Sequence, residues 1–537
     1  MSNRVIKSVG VLALLSALVL FKLGPAFASA INLDQATLAD INAAFDAGTL
    51  TSERLVQLCL ARIQAYDHQG PALHAVIALN PKALETARAL DAERKAKGRR
   101  SPLHGIPVVL KDNYDTFDMP TTGGSLLLEG SIPPADAFVV KKLRAAGAII
   151  LAKVNLSEFA SGGTYSSLGG QTLNPHDLTR SPSGSSGGTG AAIAAAYAPI
   201  GLGTDTGGSI RGPATANGIA ALKPTHGLLS RSGIIPLALS FDTGGPMARH
   251  VYDVAVALGV MTGVDAADPA TEKSAGKFDT DYTKYLKADA LKGARIGIAR
   301  DFLGADADVD WVVDAALDAI RQAGATVVDV HYPKWLLDAK GEFYTAVRYP
   351  EFADQIARYL ATLGPSYPKN LNQMIERSSR FNATRGDDAG PNPSRWSLFK
   401  REAASGALDD YRYTSVRDHA LPLVRAVVEG ILTSQRLDAI VYPTLSRRPS
   451  LIATPPVGGI AAATPAAADI ANLTGFPDLI VPAGFTGDRL PVGLSFFGPA
   501  FSEPKLLALG YSFEQATHAR RLPRHTPPLQ GETITVR

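Results

Sequence analysis

The stretch SGSSGGTGAAIAAAYAPIGLGTDTGGS, residues 183–209, decides the architecture of this chain. Thr189 to Tyr197 is an alanine-rich run of small side chains, which predicts a helix suited to burial. Pro199-Ile200-Gly201-Leu202-Gly203 predicts a strand, and the polar run Thr204-Asp205-Thr206-Gly207-Gly208-Ser209 follows it. At ~1.5 Å per residue, a helix from Gly188 to Tyr197 carries the chain roughly 15 Å away. At ~3.3 Å per residue, a strand from Ala198 to Gly203 returns it by roughly 18 Å. The two legs nearly cancel, so Ser185 and Ser209 can be neighbours although 24 positions separate them.

Upstream, Gly105-Ile106-Pro107-Val108-Val109-Leu110-Lys111-Asp112-Asn113 is a short apolar run that ends abruptly in polar residues. It reads as a buried strand delivering Lys111 to its end. A helix from Ala137 to Ala146 and a strand from Ala148 to Ala152, followed by Lys153, give α/β alternation. Strand ends of an open sheet gather where sites form, so Lys111 is free to meet the two serines. Leu33 to Glu93 is helical in period, with Thr51-Ser52-Glu53 and Pro81 opening helices. Residues 265–435 are mostly helical and richer in charge and aromatics, and strands return at Asp438–Pro443, Leu479–Pro482 and Pro491–Phe497. The expectation is one α/β domain over 31–537, with 265–435 a mainly helical insertion on the substrate side.

The chain has 537 residues, 46% hydrophobic and 19% charged, with 50 Gly and 36 Pro, which is a globular composition and excludes a coiled coil. Repeated apolar runs are lacking, so no integral membrane domain is expected. The net charge of +3 is carried by Arg4, Lys7 and Lys22, leaving the remainder neutral and offering no basic stripe for nucleic acid. Residues 1–30 read as an export signal. Arg4 and Lys7 precede the apolar stretch Val9 to Phe21, and Ala28-Ser29-Ala30 has the small-x-small pattern of a cut before Ile31. The expected location is periplasmic or secreted, with a membrane tether if the segment stays uncut. The single Cys59 lies in a helical run and reads as a buried thiol.

Several chemistries lack their sequence marks. The ten His show no HExxH or other metal-like spacing, and GxxxxGK[ST] and GxGxxG are absent, so neither metal nor organic cofactor is expected. Gly184-Ser185-Ser186-Gly187-Gly188 fits G-x-S-x-G formally, but residues 174–183 before it cannot be the buried strand a nucleophile elbow needs. A serine needs a base within hydrogen-bond reach. Lys111 serves if burial lowers its pKa and leaves it neutral, taking a proton from Ser185 while Ser185 takes one from Ser209. The N–H groups of Gly207 and Gly208 can converge on an oxyanion beside them.

These residues carry a resemblance. Gly105 to Pro224 resembles the amidase signature family of Ser–cis-Ser–Lys amide hydrolases. The match lies in Gly-Ile-Pro before Lys111-Asp112-Asn113, in Gly184 to Gly188, in Gly203 to Arg211, in Gly218 to Thr225 and in Asp242 to Arg249. One departure is Ser183, where the family usually has the first of two glycines. The resemblance implies a large twisted mixed β-sheet covered by helices on both faces. It implies Ser209 as nucleophile, Lys111 as ultimate base, and Ser185, after a cis peptide bond, as proton shuttle. It also implies an oxyanion hole of the Thr206, Gly207, Gly208 and Ser209 amides, with Ser186, Asp205 and Arg211 in support. Within the family, Phe117 to Ser125 and Gly498 to Lys505 look most like bacterial peptide amidases.

The expected activity is hydrolysis of a carboxamide, of a small molecule or a short peptide, through an acyl-enzyme. The alternatives are anilides, carbamates or esters on the same machinery, an amidotransferase A-type subunit, and a non-catalytic binding protein. Trp335, Phe343, Tyr344, Tyr349 and Trp396 are candidates for an apolar funnel, against the commoner use of such aromatics as core.

Overall fold

The strand that ends at Lys111 lies beside the strand that precedes Ser209, and the rest of the sheet grows outward from that pair. The computed structural model describes residues 29–384, 392–452 and 468–536. Its strands in chain order are β1 (Ser29–Asn32), β2 (Val76–Leu79), β3 (Pro107–Lys111), β4 (Ile149–Val154), β5 (Tyr165–Ser166), β6 (Gly170–Gln171), β7 (Ile200–Asp205) and β8 (Ala220–Lys223). They continue with β9 (Thr243–Ala248), β10 (Arg295–Ala299), β11 (Thr326–Val330), β12 (Ala439–Pro443), β13 (Asp478–Phe485), β14 (Pro491–Phe497) and β15 (Thr533–Val536). Eleven of them form one sheet in the order β11-β10-β12-β14-β13-β8-β9-β7-β3-β4-β2. It is mixed: β3 pairs parallel with both β4 and β7, whereas β9 runs antiparallel to β7 and β8.

Both faces of the sheet are covered by helices, as the alternation of side chains along a strand requires. On β13, Leu479 and Val481 meet Gly510 of the helix Glu503–Thr517, while Ile480 lies on the opposite face with Thr215 of the helix Arg211–Ala216. The alanine-rich helix, Gly187–Ala194, is buried along its whole length. It beds onto β7 because Gly201 has no side chain: a Cβ there would stand 2.6 Å from Thr189 Cγ2 and 3.1 Å from Ile193 Cγ1. Contacts that short are not tolerated in a close-packed core, so glycine sets the helix–sheet distance.

The span 265–435 is narrower as an insertion than the sequence reading made it. It contributes β10 and β11 to the main sheet, and the helix Ala307–Gln322 packs against it. The physical reason is that Arg295–Ala299 and Thr326–Val330 are short β-branched runs set among long helical ones. Among the described residues, the part without strands begins with Lys334–Ala361 and has its own apolar cluster, in which Phe352, Phe399 and Trp396 pack against Phe159. The expected export signal lies outside the described residues over 1–28. Its last two positions, Ser29 and Ala30, begin β1 and pair with Val536 and Thr535. Cys59 is a buried thiol pushed up to about 12 by burial. Among the described residues no helix is long and apolar enough to cross a membrane.

Candidate active site

Lys111 closes β3, and the parallel register of Leu110 with Leu202 sets it beside the last residues of β7. Its side chain is fully buried. Nζ donates to Ser185 Oγ at 2.7 Å and to Thr204 Oγ1 at 2.8 Å, with the Thr204 carbonyl at 3.4 Å. Burial disfavours the ammonium and brings the lysine down to about 7, although Asp205 and Asp242 pull the other way. An amine that is half neutral at that pH, held on a serine hydroxyl, is a base with its proton donor already in place.

The Gly184–Ser185 peptide bond is cis, as the resemblance implied. Ser185 is 3% exposed, and its carbonyl accepts the Ser157 N–H at 3.0 Å. Ser186 is fully buried and binds the backbone of Thr204: its Oγ donates to the carbonyl at 3.2 Å and accepts the N–H at 3.3 Å. The Ser186 N–H donates to the Ser209 carbonyl at 3.1 Å. The serine loop is thereby stitched to β7 and to Ser209, which brings together the two segments whose path lengths nearly cancel in sequence. Ser209 and Gly207 are half-buried, whereas Ser185, Ser186, Thr204 and Thr206 are buried. Ser209 is the hydroxyl of this group that faces an opening.

Asp205, at the end of β7, organises the turn that follows. Its carboxylate accepts the N–H groups of Gly208 at 2.8 Å and Ile210 at 2.9 Å, the Arg211 Nε–H at 3.1 Å and the Asn472 amide at 3.0 Å. Burial opposes its charge, but Arg211 outweighs burial and holds the carboxyl well below its usual range. Arg211 also bridges to Asp478 at 3.1 Å, and Tyr442 donates to the same carboxylate at 2.6 Å. Such a buried pair needs hydrogen-bond partners for its charges, which Arg211, Asn472, Tyr442 and the backbone supply here.

The Asp205 bond corrects one expectation. The Gly208 N–H, expected in the oxyanion hole, is spent on Asp205. The reason is local: the Gly208 N–H lies three residues past Asp205, within reach of a carboxylate that also accepts the Ile210 N–H and so caps the turn. Among the described residues, the N–H groups of Thr206, Gly207 and Ser209 meet no such acceptor. Thr204 and Asn113, which donates to Thr204 Oγ1 at 3.0 Å, were not singled out as site residues in the sequence. Neither were Asp242 and Asn472. Asn113, Thr204 and Asp242 stand in the motifs that carry the resemblance, and that is their only signal.

Of the five candidate funnel aromatics, Tyr344 reaches the site. A Cβ on Gly207 would lie 2.8 Å from its hydroxyl, and its ring stacks on Phe241 at 5.5 Å. Trp396 is core at 7% exposure, Phe343 packs in the neighbouring apolar cluster, Trp335 is 41% exposed, and Tyr349 lies under the Arg348 guanidinium. Beside Lys111 and the serine loops, Asn113, Thr206, Arg231, Ile235, Leu237 and Asp242 line a small cavity.

Known proteins match this arrangement over nearly the whole chain. The native peptide amidase of Stenotrophomonas maltophilia superposes with a TM-score of 0.83 at 39% identity, covering 92% of this chain and 99% of that one. The A-type subunit of the Glutamyl-tRNA(Gln) amidotransferase of Deinococcus radiodurans is 36% identical over 488 residues, 89% of this chain and 96% of that protein. A probable amidase of Arabidopsis thaliana is 33% identical over 532 residues, 96% of this chain and 97% of its own length. The family profile described as Amidase matches residues 54–507. With the mixed eleven-stranded sheet and Lys111, Ser185 and Ser209 gathered at its strand ends, this chain belongs to the amidase signature family.

Proposed function

We propose that this hydrolase cleaves the C–N bond of a carboxamide, carried by a small molecule or by the C-terminus of a short peptide, through an acyl-enzyme on Ser209. The observation that carries the reading is the buried Lys111 Nζ within 2.7 Å of Ser185 Oγ, beneath a half-open Ser209. Ser209 Oγ attacks the amide carbon and its proton passes to Ser185 Oγ, whose own proton passes to Lys111 Nζ. Charge developing on the carbonyl oxygen meets the N–H groups of Thr206, Gly207 and Ser209, each contributing about 3–4 kcal/mol. The protons return along the same path to the leaving nitrogen, ammonia departs, and water attacks the acyl-enzyme with the relay now acting as base. The likeness to a peptide amidase at 39% identity supports a peptide-amide substrate.

A panel of primary carboxamides, C-terminal peptide amides, anilides and esters tests the reading by ammonia release and steady-state kinetics. Ammonia release from at least one amide class, with kcat/KM above that for the matched anilide, is the expected result. Ester cleavage without any ammonia release would sink it.

The likeness to amidotransferase A-type subunits favours a second reading, in which this chain supplies ammonia within a complex. Amide hydrolysis by the purified chain alone, at a rate indifferent to added tRNA, decides for the first. Export belongs to the same proposal and rests on Arg4, Lys7, the apolar stretch Val9–Phe21 and Ala28-Ser29-Ala30. N-terminal sequencing of protein recovered outside the cytoplasm should begin at Ile31. A chain that starts at Met1 and stays with the cytoplasm would overturn it.

A further inference from the structure

Thr206 is the first residue past β7, and the two residues after it are glycines, with no side chains to anchor the turn. Its hydroxyl donates to Asp242 Oδ1 at 2.5 Å, and both groups are buried. The other oxygen of Asp242 accepts the N–H groups of Leu237 at 2.8 Å and Ala238 at 3.0 Å. One carboxylate therefore ties the turn that carries the oxyanion donors to the loop over 237–242. That loop is fastened in turn by one face of the helix Lys334–Ala361. Gln355 accepts the Leu239 N–H at 2.8 Å and Glu351 accepts the Ser240 N–H at 2.9 Å, while Tyr344 of the same helix lies on Gly207 and stacks on Phe241.

We propose that Asp242 is a positioning residue for the oxyanion hole, acting through the Thr206 hydroxyl to fix the direction of the 206 and 207 amides. The inference rests on the reading of Ser209 as nucleophile. Asp242 has its two oxygens filled by three protein donors, so its role needs no contact with substrate. An oxyanion hole works only if its donors are aimed before the charge develops, and a side-chain anchor is the economical means where flanking glycines supply none. The charged and titratable groups around Asp242 are Arg231, Lys111, Asp205 and Tyr344, and burial raises its carboxyl to about 6. The Asp242 charge also holds the Lys111 proton in place, so its neutralisation has a second, separable readout.

The test uses a fluorophosphonate, whose attack by Ser209 puts charge on the phosphonyl oxygen, alongside amide turnover. Thr206→Val and Asp242→Asn should label ~10–100-fold more slowly than the wild type and lose kcat with little change in KM. Thr206→Ser should recover most of the rate, since it keeps the hydroxyl. Asp242→Asn should also move the rise of activity with pH to lower pH, because Lys111 loses an anionic neighbour, whereas Thr206→Val, which keeps the carboxylate, should move its midpoint less. Thr206→Val that melts like the wild type and labels at the wild-type rate overturns the proposal. A wild-type protein that labels on Ser209 but releases ammonia from no amide overturns the amidase reading alone.

Discussion

Lys111→Met should lower kcat by at least ~10³-fold and leave the fold intact. General-base catalysis accounts for about 10²–10⁴-fold in comparable sites, and among the described residues no second base stands within reach of Ser185. The other side-chain partner of Lys111 Nζ, Thr204 Oγ1, is a hydroxyl. The fold survives because the lysine is a cost to it. Its pKa falls from 10.5 to about 7 on burial, so the unfolded chain holds the proton across a window in which the folded chain has shed it. Wild-type stability attributable to this group therefore rises as pH rises from about 7 to 10.5, and below 7 the folded protein carries a buried ammonium. The methionine variant carries none, so it should melt at or above the wild type at pH 6, and the lysine-linked rise should vanish from its stability profile. Activity runs in the same direction: the neutral amine is the working form, so kcat should climb through about pH 7 in the wild type. Thermal melts across pH and a pH–rate profile check both halves. A variant that folds and keeps near-normal rates refutes the base assignment.

The convergence of Lys111, Ser185 and Ser209 was legible because it follows from two path lengths and one abrupt end to an apolar strand. Strands whose residues look unlike strands were not. β9 reads Thr-Gly-Gly-Pro-Met-Ala, with two glycines and a proline in six residues, and no periodicity marks it. The structure supplies the reason: a Cβ on Gly245 would collide with the Leu222 carbonyl, and one on Gly244 would stand 2.6 Å from the Tyr114 hydroxyl. Glycine is there for close approach, which overrides β propensity. The partners of the site were hidden for a different reason. Thr204 meets Lys111 only because β3 and β7 run parallel in a particular register, and Asp242 reaches Thr206 from a loop 36 positions away. Such contacts are products of topology and leave no local spacing to read. The Gly208 amide shows the same limit, since a glycine pair announces free N–H groups while only the folded turn shows that Asp205 takes one of them.

Ser209→Ala should cost more than any other single change, at least ~10⁴-fold in kcat, and should remove covalent labelling altogether. Three serines, 185, 186 and 209, stand where the two loops meet, with Ser181 and Ser183 buried just before them, and burial separates the three. Ser185 and Ser186 are buried, their oxygens committed to Lys111 and to the Thr204 backbone, while Ser209 is half-buried beside Gly207. An electrophile entering from solvent meets the Ser209 hydroxyl first. Arg180 and Arg211 bracket a segment without internal Lys or Arg, so all three serines fall in the single tryptic peptide 181–211. Fragmentation of that labelled peptide must place the adduct on 209. Ser185→Ala should behave differently: Ser209 keeps its hydroxyl but loses the bridge to Lys111, so labelling slows and remains on Ser209. Residual rates in the two variants need not multiply, because a nucleophile and its relay act as one unit. An adduct mapped to Ser185, or Ser209→Ala that still labels, would reverse the order of the relay and place the nucleophile in the buried loop, where the observed packing leaves it no path to a substrate.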